Sequence, residues 1–275
     1  GYQMDGQQLL ASPLIPNFWR APLDNDSLIG FWFPLLEPRL SLRKFWAQAA
    51  EKRVLKDFQL EQMADGSVEV HTSFKIPYGK QPLELDYTVR GDGEVRVSYS
   101  FTPRKQAMRI GLCLQVPASY GRLSYFGLGP HESMPDRKAS AIAGVFQGQI
   151  EELIHHYTHP QENGNRSDVR WARLTDQRGA GLEVQAAGET LLNISAWPYT
   201  QKDLEAARHI HELPRRETIT FNIDYAQRGV GDLFSYLHGW PPETILPAKH
   251  TYRYSFSLRG IPGSSAPHHP LPALD

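Results

Sequence analysis

Short runs in which apolar and polar residues alternate dominate this chain. Between residues 83 and 89, every second residue is apolar, and the residues between them are charged or carry a hydroxyl. A period of two places the apolar side chains on one face of a β-strand. The alternation resumes between residues 95 and 101, after the turn signal Gly91-Asp92-Gly93. The two runs therefore predict a β-hairpin.

The same alternation predicts further strands along the whole chain. They cover residues 68–76, 110–116, 182–186, 192–196, 219–225 and 252–258. The 22 glycines and 21 prolines fall mostly between these runs, as expected of a fold with many turns. We predict an all-β fold, a single large antiparallel sandwich over residues 1–260. A proline-rich tail follows over residues 261–275.

Two stretches have helical features. In residues 200–209, Thr200 is a candidate N-cap and Asp203 follows three positions later, which resembles a capping box. Residues 43–56 are charged and rich in alanine at their start. We predict that this stretch begins as a helix and becomes a strand near Val54.

Composition excludes several classes of function. The net charge is −1 and the chain has no basic stripe, so we expect no nucleic-acid partner. No apolar run reaches the length of a membrane span, and residues 1–10 lack the pattern of a signal peptide. The start, Gly1-Tyr2-Gln3, is typical of the interior of a structure, so we expect part of a longer protein. The single cysteine, Cys113, excludes an internal disulfide and fits a reducing, cytoplasmic compartment.

Two dense polar segments, residues 127–137 and 160–171, lie between predicted strands and are the first candidates for a site. A retaining glycosidase needs two carboxyl groups about 5 Å apart, one of them kept protonated. The candidate pairs are Asp24/Asp26, Glu132/Asp136, Glu151/Glu152 and Glu162/Asp168. No pair has a flanking pattern that would bury one acid and leave the other ionised, so we predict no catalytic residue.

Structural roles are favoured for these acids. Asp24-Asn25-Asp26 is typical of a turn whose side chains bond their own backbone. Glu132 and Asp136 lie near Arg137, which favours an ion-pair network. A histidine cluster, His155, His156 and His159, could suggest a metal site. In a strand, however, neighbouring histidines point to opposite faces, so we predict no metal.

An aromatic loop follows the glycine turn at residues 229–231. Within residues 232–242 it carries Phe234, Tyr236, His238 and Trp240. Such a loop is either core that folds back or a platform on which a sugar ring stacks. The residues alone leave both possibilities open.

Several motifs in a fixed order resemble the C-terminal small-chain domain of LacZ-type bacterial β-galactosidases, glycoside hydrolase family 2. The matching stretches are Arg20-Ala21-Pro22-Leu23-Asp24-Asn25-Asp26, Gly127-Leu128-Gly129-Pro130-His131-Glu132-Ser133 with Pro135-Asp136-Arg137, Pro160-Gln161-Glu162-Asn163-Gly164-Asn165-Arg166 with Asp168-Val169-Arg170-Trp171, Arg208-His209 with Glu212-Leu213-Pro214-Arg215-Arg216, and Gln227-Arg228-Gly229-Val230-Gly231. The resemblance covers about residues 5–260, and the chain begins later than the family pattern, as a fragment would.

The resemblance implies an 18-stranded antiparallel super-sandwich, similar to galactose mutarotases. It implies that both catalytic glutamates, together with Mg and Na ions, belong to a (β/α)₈ barrel that this chain lacks. This chain would then hold no catalytic residue, metal or cofactor of its own. The implied partner is that barrel, in the same protein or a large subunit. The implied substrate of the complete enzyme is a β-galactoside, and the implied assembly is a cytoplasmic homo-oligomer.

The resemblance also implies a substrate-binding tryptophan, which in the family follows Gly-Val-Gly-Gly-Asp-Asp-Ser-Trp. Here the Ser-Trp step is displaced. Trp240 is the nearest candidate, and Tyr236 or Phe234 are possible replacements.

Two other functions fit the same fold. A free-standing aldose mutarotase or epimerase needs a histidine acid and a glutamate base that face each other. His131 and Glu132 are adjacent and are expected to point apart, which disfavours this enzyme. A carbohydrate-binding or assembly module is the other alternative.

Overall fold

The architecture follows from sixteen strands and three short α-helices in the described part of the chain. The structure is a computed structural model that describes residues 1–4, 6–27, 42–231 and 241–263. The helices are α1 (Arg43–Trp46), α2 (Ile150–Leu153) and α3 (Gln201–Ala206). The strands are β1 (Gln3–Met4), β2 (Gln7–Gln8), β3 (Ser12–Asn17), β4 (Val54–Gln62), β5 (Val68–Lys75), β6 (Leu83–Val89), β7 (Val95–Phe101), β8 (Arg109–Pro117), β9 (Arg122–Gly129), β10 (Ile142–Gln149), β11 (Arg166–Val169), β12 (Trp171–Thr175), β13 (Gly181–Ala187), β14 (Leu192–Trp197), β15 (Thr218–Gln227) and β16 (Tyr252–Ile261).

Two antiparallel sheets of unequal width pack face to face. The wide sheet has nine strands in the order β10-β9-β12-β13-β16-β7-β6-β5-β4. The narrow sheet has five, in the order β11-β14-β15-β8-β3, and β1 and β2 form a separate small hairpin. The predicted all-β antiparallel sandwich is confirmed. The described residues contain sixteen strands, where the resemblance implies eighteen.

The core lies between the sheets and is built from the alternating positions. On β8, the apolar residues Ile110, Leu112, Leu114 and Val116 are fully buried. They form one cluster with residues of the wide sheet such as Tyr99. Each buried side chain of this size stabilises the fold by about 1.5–3 kcal/mol.

The outer face of the narrow sheet is buried as well, but it is polar. Asn222 and Asp224 of β15 are both fully buried. Asn222 accepts a hydrogen bond from Asn17 at 2.9 Å and donates one to Ser195 at 3.0 Å. From Ile219 to Asp224, β15 is therefore buried on both faces, which its alternation does not reveal.

Gly111 makes room for the buried Asp224 carboxyl. The two residues are opposite each other in the β8–β15 ladder. A Cβ on Gly111 would lie 1.7 Å from Asp224 Oδ1 and 2.9 Å from Asp224 Cα. The absence of a side chain at Gly111 therefore allows an acid to enter this sheet.

Both predicted helical stretches are confirmed at their starts. Helix α3 begins after Thr200, whose hydroxyl accepts a hydrogen bond from the Asp203 amide at 3.1 Å. The Asp203 carboxylate accepts one in return from the Thr200 amide at 2.8 Å. The helix ends at Ala206, three residues before the predicted end. Helix α1 is followed by β4, which begins at Val54 as predicted.

The predicted strands do not include the two-residue strands β1 and β2, nor β3, β9, β10, β11 and β12. The polar segment 127–137 begins in the last residues of β9, and the segment 160–171 includes β11 and the start of β12. Both segments thus combine loops with strand ends, as predicted. Within the described ranges, no helix is long and apolar enough to cross a bilayer. The predicted tail lies outside the described residues from position 264 onward.

We predict that Gly111→Ala lowers the free energy of unfolding by at least about 2 kcal/mol, because the new methyl group collides with buried backbone and carboxyl atoms. Gly91→Ala is the matched control, since a Cβ there would meet nothing within 4 Å. Urea unfolding of both variants measures the difference. Equal stabilities for the two variants would show that Gly111 is not constrained by Asp224.

Candidate functional site

Four segments that are far apart in sequence meet at one cleft of about 180 Å³. They include the loop after Ala21, both polar segments and the glycine turn that ends β15. The cleft is lined by Leu23, Asp24, Asn25, Glu132, Met134, Arg137, Tyr157, Gln161, Glu162, Asn163, Asn165 and Val230. Four of the five motifs that carry the family resemblance therefore line a single cleft.

Glu132 joins the two polar segments across the cleft. Its Oε2 accepts a hydrogen bond from the Gly164 amide at 2.8 Å, and its Oε1 accepts one from the Tyr157 hydroxyl. Arg137 Nη1 lies 3.8 Å from Oε1, so the predicted ion pair between Glu132 and Arg137 is present. Burial and the Glu132 carboxylate raise the pKa of Tyr157, so its hydroxyl remains a donor.

Asp136 holds the backbone of the glycine turn and does not form a catalytic carboxylate pair. Its two oxygens accept hydrogen bonds from the amides of Val230 at 2.9 Å and Gly231 at 2.7 Å. A Cβ on Gly229 would lie 2.4 Å from Asp136 Oδ2, so only glycine allows this close approach. The glycine turn that precedes the aromatic loop is therefore anchored at the rim of the cleft.

The Asp24-Asn25-Asp26 turn anchors the same glycine turn from the other side. Asp26 accepts a hydrogen bond from the Leu23 amide at 3.1 Å, which confirms the predicted turn. Asn25 Nδ2 donates to the Gly231 carbonyl at 2.7 Å. The fully buried Arg20 pairs with Asp26 at 2.9 Å and also donates to the Gly229 carbonyl at 2.8 Å.

Beneath the cleft, Arg109 lies between two buried acids. Its Nε is 3.1 Å from Asp224 Oδ2, and its Nη2 donates to Glu162 Oε1. Gln227 Nε2 also donates to Glu162 Oε1, at 3.0 Å. All three charged side chains are at most 1% exposed. Neither Arg109 nor Asp224 is among the candidate residues that the sequence suggests.

Asp168 is not a partner of Glu162. It pairs instead with Lys138 at 2.7 Å, and both side chains are more than a third exposed. Glu162 and Asp168 therefore have separate ion-pair partners. Asp168 has a positive φ of 56°, and the β11 register shifts between Arg166 and Val169.

One arginine cannot fully compensate two buried acids. Burial, together with nearby Glu162, raises the pKa of Asp224 to about 8 against the attraction of Arg109. Burial raises the pKa of Glu162 too, although Arg109 and Gln227 oppose the shift. Burial disfavours the charge of Arg109, but the two acids more than offset this and raise its pKa. The cluster therefore keeps a proton at neutral pH.

This arrangement supports binding or docking at the cleft more than catalysis. Asp224 is fully buried and cannot reach a ligand. Among the acids that line the cleft, Glu132 is held by Gly164 and Tyr157, while Asp24 bonds Gln161 at 3.1 Å. A retaining mechanism needs a free carboxylate nucleophile beside the acid. Glu162, the third acid of the described lining, accepts hydrogen bonds from Arg109 and Gln227 through Oε1.

The histidines near the cleft lie in the loop after α2, not in a strand, so the strand argument about their directions does not apply. His155 packs against the Tyr157 ring with centroids 4.2 Å apart. His159 Nδ1 lies 3.8 Å from Asp24 Oδ1, at an exposed position. In the part of the chain that the structure describes, no three His, Cys, Asp or Glu side chains are placed to share a metal ion.

The three residues proposed to bind substrate, Phe234, Tyr236 and Trp240, lie outside the described residues, in the gap 232–240. Their role stays a prediction. The described residue at the start of that gap, Gly231, is held at the cleft by Asn25 and Asp136.

Comparison with known proteins identifies the family. The family model described as beta galactosidase small chain matches residues 1–258. A β-galactosidase of Priestia megaterium is 31% identical over 264 residues, which cover 94% of this chain and 24% of that protein. A β-galactosidase of Lactobacillus delbrueckii subsp. bulgaricus is 38% identical over 236 residues, which cover 84% of this chain and 22% of that protein.

The chain spans about a quarter of the length of these relatives, so this antiparallel sandwich corresponds to one domain of a larger protein. The chain belongs to the β-galactosidase small chain family. Among solved structures, a galactose 1-epimerase from Lactobacillus acidophilus matches 76% of this chain and 67% of its own length, with a TM-score of 0.47 and 8% identity. Similarity at that level supports no conclusion about activity.

We predict that Asp224→Asn changes how stability depends on pH. Folding takes up a proton at Asp224 between its unfolded pKa of about 4 and its folded pKa of about 8, so wild-type stability falls as pH rises through this range. Asparagine cannot lose a proton. The variant therefore gains stability relative to the wild type between pH 5 and pH 8.

Urea unfolding at several pH values measures this difference. Asp57→Asn is the matched control, because Asp57 is exposed on the edge strand β4. Parallel pH profiles for Asp224→Asn and the wild type would contradict a buried, protonated Asp224.

Proposed function

We propose that this chain is the C-terminal domain of a β-galactosidase, and that hydrolysis takes place on a catalytic domain outside this chain. The observation that carries the proposal is that four of the five family motifs line one cleft, whose acids accept hydrogen bonds from neighbouring protein groups. The relatives are β-galactosidases of which this chain matches about a quarter. A domain of this kind forms one wall of the substrate pocket and does not supply the reacting groups.

In this proposal the cleft and the aromatic loop face the catalytic domain. The turn at residues 229–231 is held by Asp136, Asn25 and Arg20. This anchoring would fix the start of the loop with little flexibility, so that an aromatic ring, Trp240 or else Tyr236 or Phe234, can stack on galactose. A preorganised ring costs less entropy on binding than a mobile one.

The complete enzyme would act on terminal β-D-galactosides with retention, through a covalent intermediate on the catalytic barrel. Mg and Na ions would belong to that barrel. The enzyme would be a cytoplasmic homo-oligomer. Burial raises the pKa of the half-buried Cys113 thiol to about 12 and leaves it unreactive.

Neither alternative function is favoured by the structure. For a mutarotase, His131 and Glu132 would have to face each other. His131 Nε2 instead lies 2.9 Å from Ser140 Oγ at the surface, while Glu132 bonds Gly164. For a carbohydrate-binding module, we expect negligible affinity for galactose or lactose without the catalytic domain, since one stacking ring contributes only about 1 kcal/mol. Calorimetric titration separates this module from the proposed domain.

We predict that the purified chain alone does not hydrolyse nitrophenyl-β-galactoside, and that mixing it with a small-chain-deleted β-galactosidase restores turnover. In the restored enzyme, Trp240→Ala should raise KM by roughly tenfold, because a stacking ring contributes about 1 kcal/mol or slightly more. Tyr236→Ala and Phe234→Ala identify the ring if Trp240→Ala has no effect.

A variant of the cleft rim tests where the domains meet. Arg137→Glu reverses a charge beside Glu132 and should weaken restoration. Arg178→Glu is the matched control, because Arg178 is 71% exposed in the β12–β13 turn. Turnover by the chain alone that survives extensive purification would contradict the proposal, and so would equal effects of the two variants.

A further inference from the structure

The wide sheet ends at β10, whose outer edge is unpaired among the described residues. β10 pairs with β9 along its whole length, without a register shift. The Ile150 amide continues this ladder and donates to the Gly121 carbonyl at 2.9 Å. Because the backbone groups of an antiparallel strand point alternately to its two sides, those of Ala143, Val145 and Gln147 point away from β9. These groups are placed to pair with a further strand.

The other edge strands of the two large described sheets carry features that disfavour pairing with another chain. β4 has the charged residues Lys56 and Asp57 at a register shift. β3 contains two prolines, and β11 is only four residues long and has a register shift. Charges, prolines, irregular register and shortness all protect a strand edge from association. β10 has none of these features, since residues 139–150 include no proline and no charged residue or histidine.

Two copies of β10 can pair antiparallel about a twofold axis at Val145. In this register the two Val145 residues are opposite each other, and Ala143 of each copy is opposite Gln147 of the other. All these residues have backbone groups that point outward, so each opposite pair can exchange two hydrogen bonds. The side chain of Val145 is 52% exposed in the single chain, and the second copy would cover it.

The side-chain sizes on the other face of β10 favour this same register. Ile142 is opposite Gly148 of the second copy, and Gly144 is opposite Phe146. A glycine opposite a large apolar side chain leaves room for it and is covered by it in return. With the axis at Gly144, two glycines would be opposite each other, and with the axis at Phe146, two phenylalanines. The sequence of β10 is therefore complementary to itself about Val145.

We propose that two copies of this chain associate through β10, antiparallel and centred on Val145, so that their wide sheets join into one continuous sheet. The contact is the same on both copies, as a twofold interface requires. Identical charged strands would repel each other in this geometry, and the uncharged edge of β10 avoids that repulsion. Hydrogen bonds between the two backbones would supply the pairing, and the covered side chains of Val145 and Ile142 would add apolar burial.

Sedimentation of the chain at several concentrations measures its association, and we expect a dimer. Val145→Lys should raise the dissociation constant of this dimer at least about tenfold, because it places two ammonium groups opposite each other. Leu60→Lys is the matched control, since Leu60 is 62% exposed on β4, at the other edge of the wide sheet. A monomer at every concentration would overturn the proposal, and so would a dimer weakened at least as much by Leu60→Lys as by Val145→Lys.

A cysteine placed on the twofold axis tests the register. The Cα atoms of a hydrogen-bonded antiparallel pair lie about 5.5 Å apart, which a disulfide can span. Val145→Cys should therefore link two chains under mild oxidation, as a non-reducing gel shows. Gln147→Cys is the matched control, because its two copies would lie about 13 Å apart, and Cys113 is common to both variants. No link for Val145→Cys, or an equally abundant link for Gln147→Cys, would overturn the proposed register.

These measurements also separate self-association from its competitor, the pairing of β10 with a strand of a different polypeptide. That alternative predicts a monomeric chain and no disulfide between copies. Both measurements read mass and covalent linkage and involve no hydrolysis of a galactoside. Failure of the galactosidase proposal would leave them unchanged, so the two proposals fail independently.

Discussion

The fully buried guanidinium of Arg109 between Glu162 and Asp224 is the interaction on which the site depends. It joins two adjacent strands, β8 and β15, to the loop that forms the floor of the cleft. Charges this deeply buried are tolerated only when they are paired and hydrogen-bonded. Since two acids share one cation, the cluster retains a proton, and its charge balance is sensitive to pH.

Above this cluster, side chains hold the loops of the cleft in place through hydrogen bonds to the backbone. Glu132 holds Gly164, Asp136 holds Val230 and Gly231, and Arg20 holds Gly229. Acidic side chains that could suggest catalysis thus hold neighbouring loops in place by accepting hydrogen bonds from their amides. The chemistry of the two polar segments is that of a rigid support, in agreement with a domain that shapes a pocket for another domain.

The sequence predicts the fold well where one face of a strand is apolar and the other polar. The runs at 83–89 and 95–101 have this form, and their strands match to the residue. β9 and β10 were overlooked because their glycines, including Gly127 and Gly144, interrupt the pattern. Gly127 is needed because a Cβ there would lie 2.7 Å from Val169.

The site was harder to predict because its key pairs are distant in sequence. The neighbourhood of Glu162 suggests Asp168, whereas the true partners, Arg109 and Asp224, come from β8 and β15. An acid within an otherwise buried run, as at Asp224, was the available signal. The exposure of Phe58 and Leu60 could not be predicted, since it depends on the relative widths of the two described sheets.

The most direct test of this account is the free energy of unfolding of Arg109→Met, measured in urea against the wild type. Methionine fills much of the same space but leaves two buried acids without a cation. We predict a loss of about 3–5 kcal/mol, with Arg122→Met, on the outer side of the wide sheet, as the control. A loss for Arg109→Met no larger than that of the control would contradict the central role of this cluster.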